Sequence, residues 1–302
     1  MTKLGLTCIS EELKDKDKKK YSFRTMTRKG FSDLCNKTSK NEAIKELSSR
    51  ISHNASCTRY IINHCGANDI AHYRISSSLF PLITDDQTDV NLDDLPDLKR
   101  IKEELSFAGK IANKLGISMG SHPDQFNVLA STNRDAVNRT INELNFQASI
   151  LDMVGLPQDH TAPMNIHINH TPKMDEGLQV VATRFFRNLS MCDKGVYKRL
   201  TIENEDKGFF NVDNCIKFSD YLFNTFKANI PVCYDNLHDF CNPSEDHNFA
   251  WQAERCAYTW VNQREGGDSF LPPIFHWSEG KPDKPRSHAD YFALGNIPPH
   301  IA

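Results

Sequence analysis

The chain has 302 residues, 39% of them hydrophobic and 25% charged, with a formal net charge of −3. No run approaches the ~20 apolar residues of a membrane span, the N-terminus MTKLGLTCIS lacks the apolar stretch of a signal peptide, and the overall balance is not that of a strongly basic nucleic-acid binder. A cytoplasmic protein without a membrane partner is expected, long enough to bury a sizeable core unaided by disulfides. Its nine cysteines contain no CxxC pair, which argues against a zinc ribbon or redox motif and predicts reduced, mostly buried thiols.

In chain order, a first short apolar run at 3–8 reads as a strand, and basic stretches follow at Lys14 to Lys20 and at Arg24, Arg28 and Lys29. The bland reading of each basic stretch is a solvated surface. Residues 70–75 form a second strand candidate. From 92 to 115 apolar residues recur with helical spacing, through Leu95, Leu98, Ile101, Leu105, Ala108 and Ala112. A strand at 116–121, a helix over 133–154, strands at 164–168 and 199–203, a helix over 212–228, and strands at 231–235 and 273–277 complete the pattern. Asn133 and Asn211 are suited to cap helix starts, and Gly116 and Gly155 to end helices. A late basic loop holds Lys281, Lys284 and Arg286.

Strands alternating with helices, without linkers or repeats, predict a parallel sheet in a single domain over 1–302. An α/β fold of the TIM (β/α) barrel type is the closed arrangement expected. A doubly wound open sheet competes, but it usually carries a Gly-rich turn after an early strand, and no GxGxxG occurs here.

In a barrel the functional residues stand at the C-terminal strand ends. Here those ends carry His122, His167, Glu203, Asp235 with His238 three residues on, and His276, with His288 in the loop that follows. One such histidine alone is more often structural. Successive converging histidines and carboxylates would repel or lose hydration unless cations neutralised them, so the set predicts a cluster of divalent metal ions. His53, His64, His72, His160, His247 and His300 receive no role, and His170 is expected to support the site or the fold.

Read together, YRISSSLFPL (73–82), SHPDQFNVL (121–129), LTIENED (200–206), YDNLHDFCNP (234–243) and FHWSEG with SHA (275–289) resemble the UV damage endonucleases, from the N-terminus to about residue 292. The same ligand logic resembles the endonuclease IV group, which cuts at abasic sites. The resemblance implies a TIM barrel that nicks damaged double-stranded DNA 5′ to pyrimidine dimers and 6-4 photoproducts, leaving a 3′-hydroxyl and a 5′-phosphate, as a monomer. It implies that His122, His167, Glu203, Asp235, His238, His276 and His288 hold a cluster of about three ions, manganese foremost, with zinc, cobalt or magnesium as alternatives. Glu203 would bridge metals, and Glu203, His122 and His276 would carry the catalysis. Gln125 and Phe126 match the pair that probes the duplex at the lesion, an aromatic wedge beside a hydrogen-bonding amide. Phe126 taken alone could equally be core. Arg74 and Ser76, with Lys281 and Arg286 of the late basic loop, are the candidate DNA contacts, the competing reading of Arg74 being an internal salt bridge.

Several positions depart from the family pattern. Leu6, Ser10 and Ile274 stand where a tyrosine, an asparagine and a lysine are often found. The family continues into an eighth strand with a metal-bridging glutamate, which this sequence does not reach before Ala302: either the sequence is truncated and the barrel lacks its closing strand, or a nearby carboxylate, Asp290 or Glu279, substitutes. The competing functions are an abasic-site nuclease, a sugar isomerase-like barrel and a damaged-DNA-binding remnant without catalysis. Substrates carrying an abasic analogue or a photodimer, and a metal analysis beside a nicking assay, separate them.

Overall fold

The computed structural model describes residues 3–124, 126–173, 176–245, 248–260 and 271–293. Its elements fall into two units. An amino-side unit comprises Lys3–His122 and Phe146–Gln158, and a carboxyl-side unit includes Pro123–Asn145 and Asp159–Ala302.

The amino-side unit starts with β1 (Leu4–Thr7), α1 (Glu11–Lys16), α2 (Lys18–Tyr21), α3 (Arg28–Lys37) and α4 (Lys40–Ala67). It continues with β2 (Ile70–Ile75), α5 (Leu98–Leu115) and β3 (Ser118–Ser121). β1 pairs parallel with β2 (Gly5 opposite His72), and β2 with β3 (His72 opposite Ser118). The 28 residues of α4 bury Ala43, Leu47, Ile51, Ala55, Ile61, Ile62 and Cys65 at helical spacing. The same helix buries Asn54, whose amide accepts from the Arg24 N–H at 2.7 Å and donates to the Arg24 carbonyl at 3.1 Å. The sequence predicts a helix from residue 92, but only a short 3-10 turn occupies Leu92–Asp94, and α5 begins at Leu98. Pro96 explains the break, since the residue before a proline is disfavoured in helix. α5 ends as expected at Gly116, with a φ of 67° that a glycine adopts without strain. Gly109 lets α5 approach the chain at Val154: a Cβ there would lie 1.9 Å from the Val154 carbonyl oxygen.

The helix α6 (Arg134–Val154) belongs in part to each unit. The Asn133 side chain accepts from the N–H groups of Asp135 and Ala136, which is the predicted cap. The carboxyl-side unit then runs β4 (Met164–His167), α7 (Leu178–Leu189), α8 (Lys194–Arg199), β5 (Leu200–Glu203), α9 (Val212–Phe226) and β6 (Val232–Asp235). It ends with α10 (Asn236–Cys241), α11 (Phe249–Tyr258), β7 (Phe275–His276), β8 (Gly280–Lys281) and β9 (Lys284–His288). β4 to β7 pair in order and in parallel. β5 and β6 are buried at every residue, as strands covered on both faces must be. Phe185 of α7, Phe218 of α9 and Phe210 just before α9 are fully buried and meet edge to face at 5.2 and 5.4 Å.

After β7 the described chain does not continue as another parallel strand. The basic segment read as a loop is the antiparallel pair β8–β9. His288 therefore sits on a strand, where the sequence places it in a loop. All nine cysteines are free, five of them buried. No helix among the described residues is long and apolar enough to cross a membrane.

Candidate metal centre

Strand register builds the site. His167 and Glu203 are the last residues of β4 and β5 and lie opposite one another. Asp235 and His276 end β6 and β7 and are likewise opposite. With a side-chain period of two, the register carries each pair to the same face. Glu203 is 1% exposed, yet three imidazoles reach it: His276 Nδ1 stands 2.9 Å from Oε2, while His238 Nδ1 and His167 Nε2 stand 3.3 and 3.9 Å from Oε1. Asp235 is equally buried, with His276 Nδ1 3.9 Å from its Oδ2.

Asp235 divides its two oxygens between tasks. Oδ1 accepts from the His238 N–H at 2.8 Å and so caps α10. Oδ2 is buried without a hydrogen-bond partner among the described residues, a state that a bound cation would relieve. His238 Nδ1 lies 2.9 Å from the Asn204 carbonyl oxygen. A carbonyl only accepts, so Nδ1 carries hydrogen and Nε2 is the nitrogen left for a ligand or proton. That Nε2 lies 3.3 Å from His288 Nε2, close to the separation of two nitrogens each bound to one ion at ~2.1 Å. His288 Nδ1 meets Ser278 Oγ at 2.7 Å.

Two ligand triads thus form inside the carboxyl-side unit: His167 with Glu203 and His238, and Asp235 with His238 and His288. The donors are imidazole nitrogens and carboxylate oxygens, a set that fits first-row divalent ions. Titration without a cation shows the tension. Burial raises the Asp235 carboxyl, and Glu203 raises it further against the pull of His238. Burial opposes charge on His238, but the bond to Glu203 and the two carboxylates outweigh it and lift the imidazole to about 9. Burial lowers His288. A divalent cation reverses this pattern, favouring ionised carboxylates and neutral imidazoles.

Sequence reasoning missed the groups that hold the ligands. Asn165, two residues before His167 on β4, donates its amide to Glu203 Oε2, and its own oxygen accepts from Thr201 at 2.9 Å. Asn204 follows Glu203, donates to the Asp235 carbonyl at 2.9 Å and accepts from the Asp235 N–H at 2.8 Å. Asn236 follows Asp235 and makes the same paired bonds with the backbone of Ser278, at 2.9 and 2.8 Å. A carboxylate followed by asparagine, in ENE and again in YDN, was the available signal. Each asparagine ties its ligand's strand end to the next segment, which fixes ligand spacing. His170 meets the supporting role expected of it: its Nε2 lies 2.9 Å from Glu176, which Arg184 also grips at 2.6 Å.

The other expected residues have these places. His122, half-buried, directly follows β3 in the amino-side unit. Phe126 is 78% exposed, so the core alternative for it is excluded, while Gln125 lies outside the described residues. Arg74 Nη2 donates to Cys8 Sγ at 3.7 Å. Ser76 is buried, and its hydroxyl accepts from the Ser78 N–H, capping a 3-10 turn at Ser77–Leu79. Ser10 likewise caps α1. Lys281 pairs with Asp290 at 3.5 Å, and Arg286 donates to the Cys241 carbonyl at 3.4 Å. Neither expected substitute for the eighth-strand glutamate joins the clustered ligands: Asp290 is exposed beside Lys281, and Glu279 accepts from the Ala293 N–H at 2.8 Å. His247 and His300 lie outside the described residues.

The sequence profile of the family described as UV-endonuclease UvdE matches residues 2–301. A UV DNA damage endonuclease of Nostoc sp. is 31% identical over 265 residues, covering 86% of this chain and 73% of that protein. One from Halalkalibacterium halodurans is 27% identical over 290 residues, covering 95% and 80%. Among solved structures, SacUVDE superposes with a TM-score of 0.75 at 24% identity, covering 98% of this chain and 87% of that one. This likeness carries the fold, and the fold class is α/β of the TIM-barrel type.

Proposed function

The chain belongs to the UV-endonuclease UvdE family, and from that premise we propose that it is a metal-dependent endonuclease that nicks duplex DNA on the 5′ side of UV photoproducts. At the coarser level it is a hydrolase of the DNA-repair class that acts on UV-damaged DNA. The observation that carries the metal reading is the fully buried Glu203 carboxylate, faced on both oxygens by imidazoles and neighboured by the buried Asp235.

His167, Glu203, Asp235, His238, His276 and His288 would hold the ions, with His122 as a seventh ligand. Divalent cations there would supply neutralisation of the scissile phosphate and a water acidified toward neutral pH. The chain's own part is placement. Asn165 orients Glu203, and Asn204 sets both the Asp235 backbone and the His238 ring. Phe126, exposed on the segment after β3, offers an aromatic face that can take the place of lost base stacking. Lys281, Arg286, Arg74, Gln125 and Ser76 complete the proposed DNA contacts; the Ser76 hydroxyl accepts from the Ser78 N–H and still has its own hydrogen to donate to a phosphate oxygen. Recognition by weakened stacking and altered shape makes the enzyme tolerant of sequence.

Supercoiled plasmid, irradiated or not, tests the reading. With Mn²⁺ the protein nicks irradiated plasmid at least tenfold faster than untreated plasmid, and Glu203→Gln loses about 10²-fold or more. Equal nicking of both plasmids sinks damage specificity, and full activity in chelator sinks the metal reading. An abasic substrate cut in preference to a photodimer would move the assignment to the abasic class.

A further inference from the structure

The basic stretch near the N-terminus plays no part in the site above. In the amino-side unit, Lys19, Lys20, Arg24 and Arg100 line a cavity of about 510 Å³ together with one face of α4. That face carries Ser49, Ser52, His53, Ser56 and Tyr60 at helical spacings of three and four. The volume falls within the roughly 300–1,000 Å³ typical of small-molecule sites.

Two observations give the cavity its sign. The lining sets four cations, Lys19, Lys20, Arg24 and Arg100, against two carboxylates, Asp17 and Asp97, an excess of two positive charges (four minus two). Asp17 caps α2 by accepting from the Lys20 N–H, and Asp97 accepts from the Ser48 hydroxyl at 2.9 Å. Its four cations form no ion pair with any described residue, whereas the neighbouring Lys14, Lys16, Arg50 and Arg59 each do. Lys20 is further steadied over the rings of Tyr21 and Tyr60, 4.9 and 5.1 Å from their centroids. Hydroxyls and an excess of cations around one concavity are the chemistry that phosphate oxygens recognise.

We propose that this cavity is a phosphate-binding site, distinct from the metal centre, which takes either a phosphodiester of the DNA backbone or a soluble phosphate compound. The proposal does not depend on the nuclease reading.

The test pairs Lys19→Glu/Arg100→Glu with a charge-matched control, Lys110→Glu/Lys114→Glu on α5, after confirming equal melting temperatures. The probes are inorganic pyrophosphate by calorimetry and an undamaged labelled duplex by anisotropy. One-to-one pyrophosphate binding that weakens about tenfold or more in the cavity variant alone supports the site with a soluble ligand. No pyrophosphate binding, but a duplex affinity reduced about tenfold more by the cavity variant than by the control, with a shallower salt slope, supports the site with backbone as its ligand. The proposal is overturned if the cavity variant and the control behave alike toward both probes. Should the double reversal lower the melting temperature, Lys19→Ala/Arg100→Ala is read by the same criteria.

Discussion

At the scale of single residues, exposure separates two aromatic roles that sequence leaves open. Phe126, at 78% exposed, contributes little to folding. Phe126→Ala should change stability by less than about 0.5 kcal/mol and weaken binding to photodimer duplex by about tenfold, with metal content unchanged. Unfolding or metal loss in that variant would return the side chain to the core. His160 tests electrostatics. Its Nε2 is buried, its ring stands 6.3 Å from that of Trp260, and burial pushes its imidazole down to about 4. The unfolded chain titrates near ~6.5, so between these values it binds the proton that the folded protein refuses. Stability present above pH ~6.5 is therefore lost as pH falls toward 4, by about 3 kcal/mol from this group. Urea unfolding of His160→Gln should show a flatter pH dependence over that window. Parallel curves for the two proteins would refute the assignment.

At the scale of elements, close approach at Gly109 ties α5 to the end of α6. A Cβ meets the Val154 carbonyl oxygen at 1.9 Å, and backbone cannot step aside as a flexible side chain can. Gly109→Ala should destabilise by about 1–3 kcal/mol or more despite the better helix propensity of alanine. A melting temperature at or above that of the wild type would contradict the packing. The strands were legible in the sequence because each is a short apolar run between helical patterns, with ends at or within a few residues of those observed. α4 was not, because its buried face includes Ser48, Ser52, Asn54 and Thr58, which blur the apolar period. β9 was hidden for another reason: KPRSH reads as a charged loop, and only its pairing with β8 makes it a strand. The ligands could be read from strand ends and from family likeness. Asn204 and Asn236 left only the trace of a carboxylate followed by asparagine, in ENE and YDN, and Asn165 left none, because its role depends on Glu203 and Thr201 of the neighbouring strand.

At the scale of the whole molecule, two buried carboxylates among imidazoles predict that metal binding adds to the stability of the fold. An ion held at a hundredfold its dissociation constant adds about 2.7 kcal/mol to the folded state. Stripping metal with chelator should lower the melting temperature by about 5–10 °C, and Mn²⁺ should restore it. An unchanged melting curve, with metal loss verified by elemental analysis, would remove the ion from the stability of the fold. The same experiment on Glu203→Gln should show a smaller shift, because glutamine offers a cation one neutral oxygen in place of a carboxylate.

Asp235 caps α10 with one oxygen and keeps the other free for an ion. These are separate atoms, so the cap does not depend on the metal. With any bound ion removed, the short helix would stay formed and His238 aimed, since the cap uses Oδ1 alone. Reloading is then a matter of diffusion and ligand deprotonation rather than of refolding.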